Sequence, residues 1–336
     1  MRAAWYERNG PAREVLQVGE LETPEPGPDE VRVRIRASGV NPSDWKTRSG
    51  SRPMAGPRVV PHSDGAGEID AVGPGVRRRL GERVWIWNGQ WKRPFGTAAE
   101  YIVVPAEQAV ELPDGTSFEA GACLGIPALT AHRAVTIDGT PSGRIVLVSG
   151  GAGAVGHYAI QFAKILGAAQ VLATVSSPEK AEHARAAGAD AVIDYRRESV
   201  ADRVRELTGG HGTDRVVEVD IAGNARLLPH VLAQDGLCVA YGSNAPEACF
   251  EFGPMILSGA AVRFFIVYEL PPAARQQGIS DLTRWMEEGR VRHRIAAEFP
   301  LERIAEAHEA VEQGIGGTPR IGHPLTISTT DSRRGT

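Results

Sequence analysis

Gly151, Gly153 and Gly156 stand in G-x-G-x-x-G spacing within the segment SGGAGAVG. They follow directly on the apolar run Ile145-Val146-Leu147-Val148, which reads as a strand buried on both faces of a parallel sheet. The spacing has a chemical purpose: the first glycine turns the chain, the second lets backbone approach a pyrophosphate, and the third lets the next helix pack on the strand. Gly150, Ala152, Ala154 and Val155 keep the rest of the loop small. From Ala154 the apolar positions Val155, Ala159, Ile160, Phe162, Ala163 and Leu166 recur at helical spacing, and Gly167 stands where a left-handed cap is wanted. Strand, phosphate loop and helix N-terminus together aim bare N–H groups at a diphosphate. The cofactor-binding residues expected here are Gly151, Ala152, Gly153, Ala154, Val155 and Gly156, and the chemistry is that of a dinucleotide, hydride transfer.

About 20 residues past the glycines, NAD-binding sheets carry an acidic residue for the ribose 2′-hydroxyl. Here that place holds Val175-Ser176-Ser177, with Lys180 a turn later. A carboxylate repels a 2′-phosphate, whereas hydroxyls and an ammonium donate to one, so Ser176, Ser177 and Lys180 favour NADPH. Ser177-Pro178 also reads as a plain helix cap. Tyr195 and Arg196, after the third strand, are secondary candidates for the phosphate or adenine edge.

These residues need a frame, and 336 residues are long enough for two domains. Residues 1–121 read as an all-β domain: Val31, Val33, Ile35 and Ala37 alternate with arginines, and further strands are expected at Glu68–Val72, Arg83–Trp87 and Tyr101–Val104. Beyond Gly121 strand-like and helix-like runs alternate through Ile145–Val148, Gln170–Thr174, Ala191–Ile193, Val216–Val219 and Leu237–Tyr241, the rhythm of a doubly wound parallel sheet. Val262–Tyr268 is expected as a last edge strand able to pair across a two-fold axis in a homodimer. A helix to Glu288, an amphipathic run Leu301–Gln313, a strand near Ile321–Ile327 and a polar tail from Ser328 follow. His308 shares a helix face with Ile304, Ala307 and Val311 and is expected as a satisfied, half-buried histidine.

A net charge of −4 argues against nucleic acid as a partner. No apolar run reaches membrane-spanning length and the N-terminus lacks a signal-peptide core, so a cytoplasmic protein with no membrane association is expected. Cys123, Cys238 and Cys249 form no C-x-x-C and are expected as small, reduced, buried apolar groups.

The assembled motifs resemble the medium-chain dehydrogenase/reductase superfamily and, within it, the zinc-free quinone oxidoreductases similar to zeta-crystallin. The resemblance rests on Gly39-Val40-Asn41-Pro42-Ser43-Asp44, Asp64-Gly65-Ala66-Gly67 running into Ala71-Val72-Gly73, Gly81-Glu82-Arg83-Val84, the Gly150–Gly156 loop and Ala305-Glu306-Ala307-His308. It implies an α/β protein with a GroES-like β-barrel catalytic domain, residues 1–121 and 270–336, and a Rossmann NADP-binding domain, residues 122–269, with the active site in the cleft. It also implies NADPH as donor and commonly a dimer.

At the positions where zinc alcohol dehydrogenases carry ligands, gapless matching places Asn41, Ser63-Asp64 and Ile126, with His62 one residue out of register, so no metal is expected. Without a Lewis acid the acceptor must itself be electron-poor, which points to a quinone or an α,β-unsaturated carbonyl. By the resemblance Asn41 and Thr130 lie near nicotinamide and substrate, Trp45 stands where these reductases usually have tyrosine, and Tyr241-Gly242-Ser243 lines the cofactor. Trp85, Trp87 and Trp91 either shape the acceptor site or fill the core. The alternatives are an enoyl or 2-alkenal reductase and a non-enzymatic NADPH-binding protein.

Overall fold

The computed structural model describes residues 1–313 and 325–328. The chain divides into two compact units, one of Met1–Pro127, Ile279–Gly289 and the described residues from His293 onward, the other of Ala128–Gly278 with Arg290–Arg292. The divisions fall at Pro127 and Gly278, against 121 and 270 expected. Within the second unit Gly278 lies so close to Leu129 that a Cβ would come within 2.9 Å of its Cδ2, which holds the start of Pro272–Glu287 beside the helix Leu129–Thr136.

The first unit is organised on the strand Glu30–Val40. It pairs antiparallel with Asp64–Val72, with Tyr101–Pro105 and with Leu325–Ser328, so the C-terminal segment completes the N-terminal sheet. Alternation along the strand sends Val31, Val33 and Ile35 into a core with Ile69, Val84, Ile86, Ile102 and Val104. Its arginines face out, where Arg32 pairs with Asp70 and Arg36 with Glu68. The unit is not all-β as expected. Asn41 caps the helix Pro42–Arg48 at the strand's end, with proline supplying the first helical φ. The expected amphipathic run folds as the helix Ile304–Gln313, whose Ile304, Ala307 and Val311 pack on Ala3, Ala4, Val40 and Val60. Of the expected Ile321–Ile327 strand, residues 321–324 lie outside the described residues, as does the expected polar tail beyond Ser328.

The second unit is a parallel sheet. Among the described residues its strand order is Ala191–Asp194, Gln170–Val175, Ile145–Val148, Thr213–Glu218, Leu232–Ala240, Ala261–Phe264. The order reverses beside Ile145–Val148, and ligands of such sheets bind in the crevice at that switch point. The expected edge strand Val262–Tyr268 is shorter, because its neighbour Leu232–Ala240 ends opposite Phe264 and Val267–Glu269 turns into a 3₁₀ helix. Cys123 and Cys238 are buried as expected, but Cys249 is exposed because it follows the end of the sheet in a loop. Among the described residues no helix is long and apolar enough to cross a membrane.

Candidate active site

The glycine loop joins Ile145–Val148 to the helix Ala154–Ile165. The left-handed turn falls on Gly150, with φ 67°, not on Gly151 as the motif suggests. Gly151 is required for contact instead: a Cβ there would lie 2.6 Å from the Ala173 Cβ. At Gly156 a Cβ would lie 2.3 Å from the Gly150 carbonyl oxygen, so the helix packs on the loop only through glycine. Thr174 of the neighbouring strand fastens the turn, its Oγ1 accepting from Gly150 N at 3.0 Å and its carbonyl from Gly151 N at 3.0 Å. Gly153 is the N-cap and brings no side chain to the first turn, where Ala154, Val155 and Gly156 lie. That leaves a bare N-terminus beside a side-chain-free cradle, which fits a diphosphate. Thr174 was not singled out in the sequence, since a threonine in a strand carries no motif.

Ser176 and Ser177 follow the strand Gln170–Val175. Lys180 Nζ donates to Ser176 Oγ at 3.1 Å, so ammonium and hydroxyl stand together at the strand's end. Ser177 Oγ accepts from Lys180 N at 3.3 Å and caps the helix Pro178–Ala186, which is the cap reading of Ser177-Pro178. Tyr195 lies just past Ala191–Asp194 with its side chain exposed, the next strand end along.

On the other side of the switch point, Tyr241, Gly242 and Ser243 follow Leu232–Ala240 and line a concavity of about 600 Å³ shared with Ile221, Phe250, Phe264 and Phe265. Gly242 is fixed by contact, since a Cβ would meet the Val219 carbonyl oxygen at 2.3 Å. Thr130, in the helix Leu129–Thr136, is buried and its Oγ1 has no hydrogen-bond partner among the described residues. A buried hydroxyl left so is costly unless a ligand meets it.

In the first unit a polar cluster lies inside an apolar frame. Asn41 and Asp44 form a capping box, in which Asn41 N donates to Asp44 Oδ2 at 2.6 Å. Asn41 Nδ2 donates to Asp64 Oδ2 at 2.9 Å, and Ile126 N donates to the same oxygen at 3.0 Å. Burial pushes Asp44 up to about 7 and Asp64 well above the carboxylate range. Asp64 Oδ1 is buried and unpartnered. The structure thus brings together Asn41, Asp64 and Ile126 from three segments. Ser63 is buried beside Asp64 in sequence.

His62, with φ 78°, bends the chain into the strand Asp64–Val72. A chain of hydrogen bonds starts there, and its proton positions follow from the partners. Thr97 Oγ1 donates to the Asp64 carbonyl at 2.5 Å, so Ser38 Oγ, 2.8 Å away, must donate to Thr97. Ser38 therefore accepts from His62 Nδ1 at 2.8 Å. Neutral His62 then accepts at Nε2 from His308 Nε2 at 2.9 Å, leaving His308 Nδ1 bare and without a partner among the described residues. Burial keeps both rings neutral, lowering His62 to about 3 and His308 well below the usual histidine value. His308 is fully buried, not half-buried, and its ring is satisfied on one side only. The sequence signals for this network are His308 on the apolar face of its helix and His62 beside the position matched to a zinc ligand; Ser38 and Thr97 carry none.

Trp45 does not join the polar cluster. Its half-buried indole packs against the cluster of Ala3, Val40 and Ile304, with Lys46 Nζ 5.9 Å above the ring. Trp85 is fully buried and Trp87 nearly so, which makes both packing residues.

Residues 27–114 match the alcohol dehydrogenase GroES-like domain and residues 154–287 the zinc-binding dehydrogenase family. A quinone oxidoreductase of Pseudomonas aeruginosa is 36% identical over 305 residues, covering 88% of this chain and 91% of that protein. This chain belongs to the quinone oxidoreductase family of the medium-chain dehydrogenases/reductases. As a quinone oxidoreductase family member it is an oxidoreductase with a GroES-like and a Rossmann domain. Among solved structures, an NAD-dependent alcohol dehydrogenase superposes with a TM-score of 0.88 at 30% identity, over 98% of this chain and all of that one. A mycobacterial protein complexed with NADPH gives 0.86 at 27% identity over the same shares. Both dinucleotides therefore occur among relatives of this fold.

Proposed function

We propose that this member of the family reduces quinones, or similarly electron-poor carbonyl acceptors, with NADPH. The observation that carries the reading is the buried Thr130 hydroxyl, a neutral donor with no hydrogen-bond partner among the described residues; the Asn41 amide is a second neutral group of the same chemistry. Such groups orient an acceptor and stabilise a weakly basic oxygen. A reduced quinone oxygen is phenol-like, with pKa of about 10, so water completes its protonation. When bound, NADPH supplies the hydride. Ser176 and Lys180 would hold its 2′-phosphate, the glycine loop its diphosphate, and Tyr241-Gly242-Ser243 its nicotinamide half, with the aromatic wall of Phe250, Phe264 and Phe265 suited to a flat acceptor.

The same reading makes the protein a homodimer. The strand Ala261–Phe264 ends the sheet with Phe264 exposed, and the preceding helix Phe252–Ser258 exposes Phe252, Ile256 and Leu257. An unpaired apolar edge of this kind needs a cover, and a second copy supplies one.

The test is loss of nicotinamide absorbance with purified protein, NADPH or NADH, and a panel of an ortho-quinone, a para-quinone and an enone. The expected result is quinone-dependent oxidation, faster with NADPH. Turnover of the enone alone, giving product saturated at the carbon–carbon bond, replaces the reading with that of an alkenal reductase. NADPH binding without turnover of any acceptor rejects an enzymatic role.

A further inference from the structure

We propose that Asp64 is a positioning residue for the reaction: its buried carboxyl is a clamp that fixes the Asn41 amide, and the His308–His62–Ser38–Thr97 chain holds that clamp in place. The proposal rests on the reading of Asn41 as a donor to the acceptor oxygen.

One oxygen, Asp64 Oδ2, accepts from two groups on different segments, the Asn41 side chain at the end of Glu30–Val40 and the Ile126 backbone within Leu124–Ala128. The latter segment is a turn of π-helix, whose widened geometry frees an N–H to point sideways. Asp64 holds the Asn41 side-chain amide and Asp44 its backbone N–H, so the residue is anchored at both ends. Glycines enforce the approach. A Cβ on Gly125 would come 2.3 Å from Asp64 Oδ1, and one on Gly39 would reach the Ala122 carbonyl oxygen at 2.1 Å.

The clamp's own backbone is held from behind. Thr97 Oγ1 binds the Asp64 carbonyl, and the chain through Ser38 and His62 ends on His308 in the helix Ile304–Gln313. Each proton in it has one place, so the chain is directional and rigid. Its far end, His308 Nδ1, has no partner among the described residues. Burying two imidazoles and a carboxyl is expensive for a core that apolar residues would fill, and such expense is met where a site must be held in one geometry.

The experiment is a double-mutant cycle of Asp64→Ala and Asn41→Ser, the serine retaining a cap for Pro42–Arg48, with Asp64→Asn as the isosteric control. Expected are a loss of about 10²-fold in kcat for the quinone in Asp64→Ala, NADPH affinity by fluorescence unchanged, and partial rescue in Asp64→Asn, whose amide oxygen still accepts. The double variant should lose no more than Asn41→Ser alone. Additive losses, or an Asp64→Ala enzyme with wild-type kcat, overturn the proposal. A second readout needs no turnover: hydrogen exchange at the Ile126 amide should accelerate in Asp64→Ala, and retained protection there overturns the clamp. If the wild type turns over no acceptor, the functional reading fails by itself and the exchange result alone decides the clamp.

Discussion

At the scale of single residues, the cofactor preference and the buried histidines give separable tests. Removing the Lys180 ammonium takes away a charge-assisted donor worth about 1.5–3 kcal/mol, so Lys180→Ala should raise the KM for NADPH by about 10- to 100-fold and leave that for NADH nearly unchanged. Steady-state kinetics with both cofactors measures this, and equal effects on the two would dismiss the 2′-phosphate role. His62 and His308 are held neutral by burial, below an unfolded value of about 6.5. Below that pH the unfolded chain takes up protons that the fold refuses. Their contribution is therefore complete above it and declines as pH falls below it, for His62 until about 3, by about 1.4 kcal/mol per pH unit for each ring. Asp44 runs the opposite way. Its folded value is raised to about 7, so its contribution is complete below about 4 and is lost as pH rises from there to 7. Urea denaturation at pH 5 and pH 8 separates them: the double variant His62→Gln, His308→Gln should lose less stability than wild type on going to pH 5, and Asp44→Asn should gain relative to wild type at pH 8.

At the scale of elements, the glycine loop is where sequence legibility was greatest. Its spacing placed strand, loop and helix in order, because close backbone contact admits only glycine and leaves a pattern that residue types alone display. The division of labour was less legible, since φ and contact are properties of the folded turn: the left-handed position is Gly150, and Gly151 is needed against Ala173. Gly156→Ala should therefore displace the helix Ala154–Ile165 and abolish NADPH binding by fluorescence, because its Cβ would lie 2.3 Å from rigid backbone. Gly115, which has open space around a Cβ, should accept alanine without loss, and a Gly156→Ala protein binding as tightly as wild type would refute the close-contact argument. The edge strand was overextended in the sequence reading because β-branched and aromatic residues run on past Phe264, whereas its partner strand stops. Pairing, not propensity, ends a strand.

At the scale of the whole molecule, the proposed dimer rests on the exposed Phe252, Ile256, Leu257 and Phe264, and Ile256→Glu with Leu257→Glu should shift sedimentation to the monomer while leaving NADPH binding in place. A wild-type monomer at micromolar concentration would remove that expectation. The amino-acid sequence by itself determined the two-domain α/β plan, the phosphate loop and the serine–lysine pair, since each depends on local order: alternation of period 2, helical spacing, glycine spacing, the end of one strand. It also offered Asn41 and Thr130 as candidates, but only through family resemblance. Tertiary structure alone decided what Asn41 holds, what Trp45 packs against, and that Ser38, His62, Thr97 and His308 form one chain. The reason is separation: His62 and His308 lie 246 positions apart, and no periodicity along a chain encodes a hydrogen bond across it.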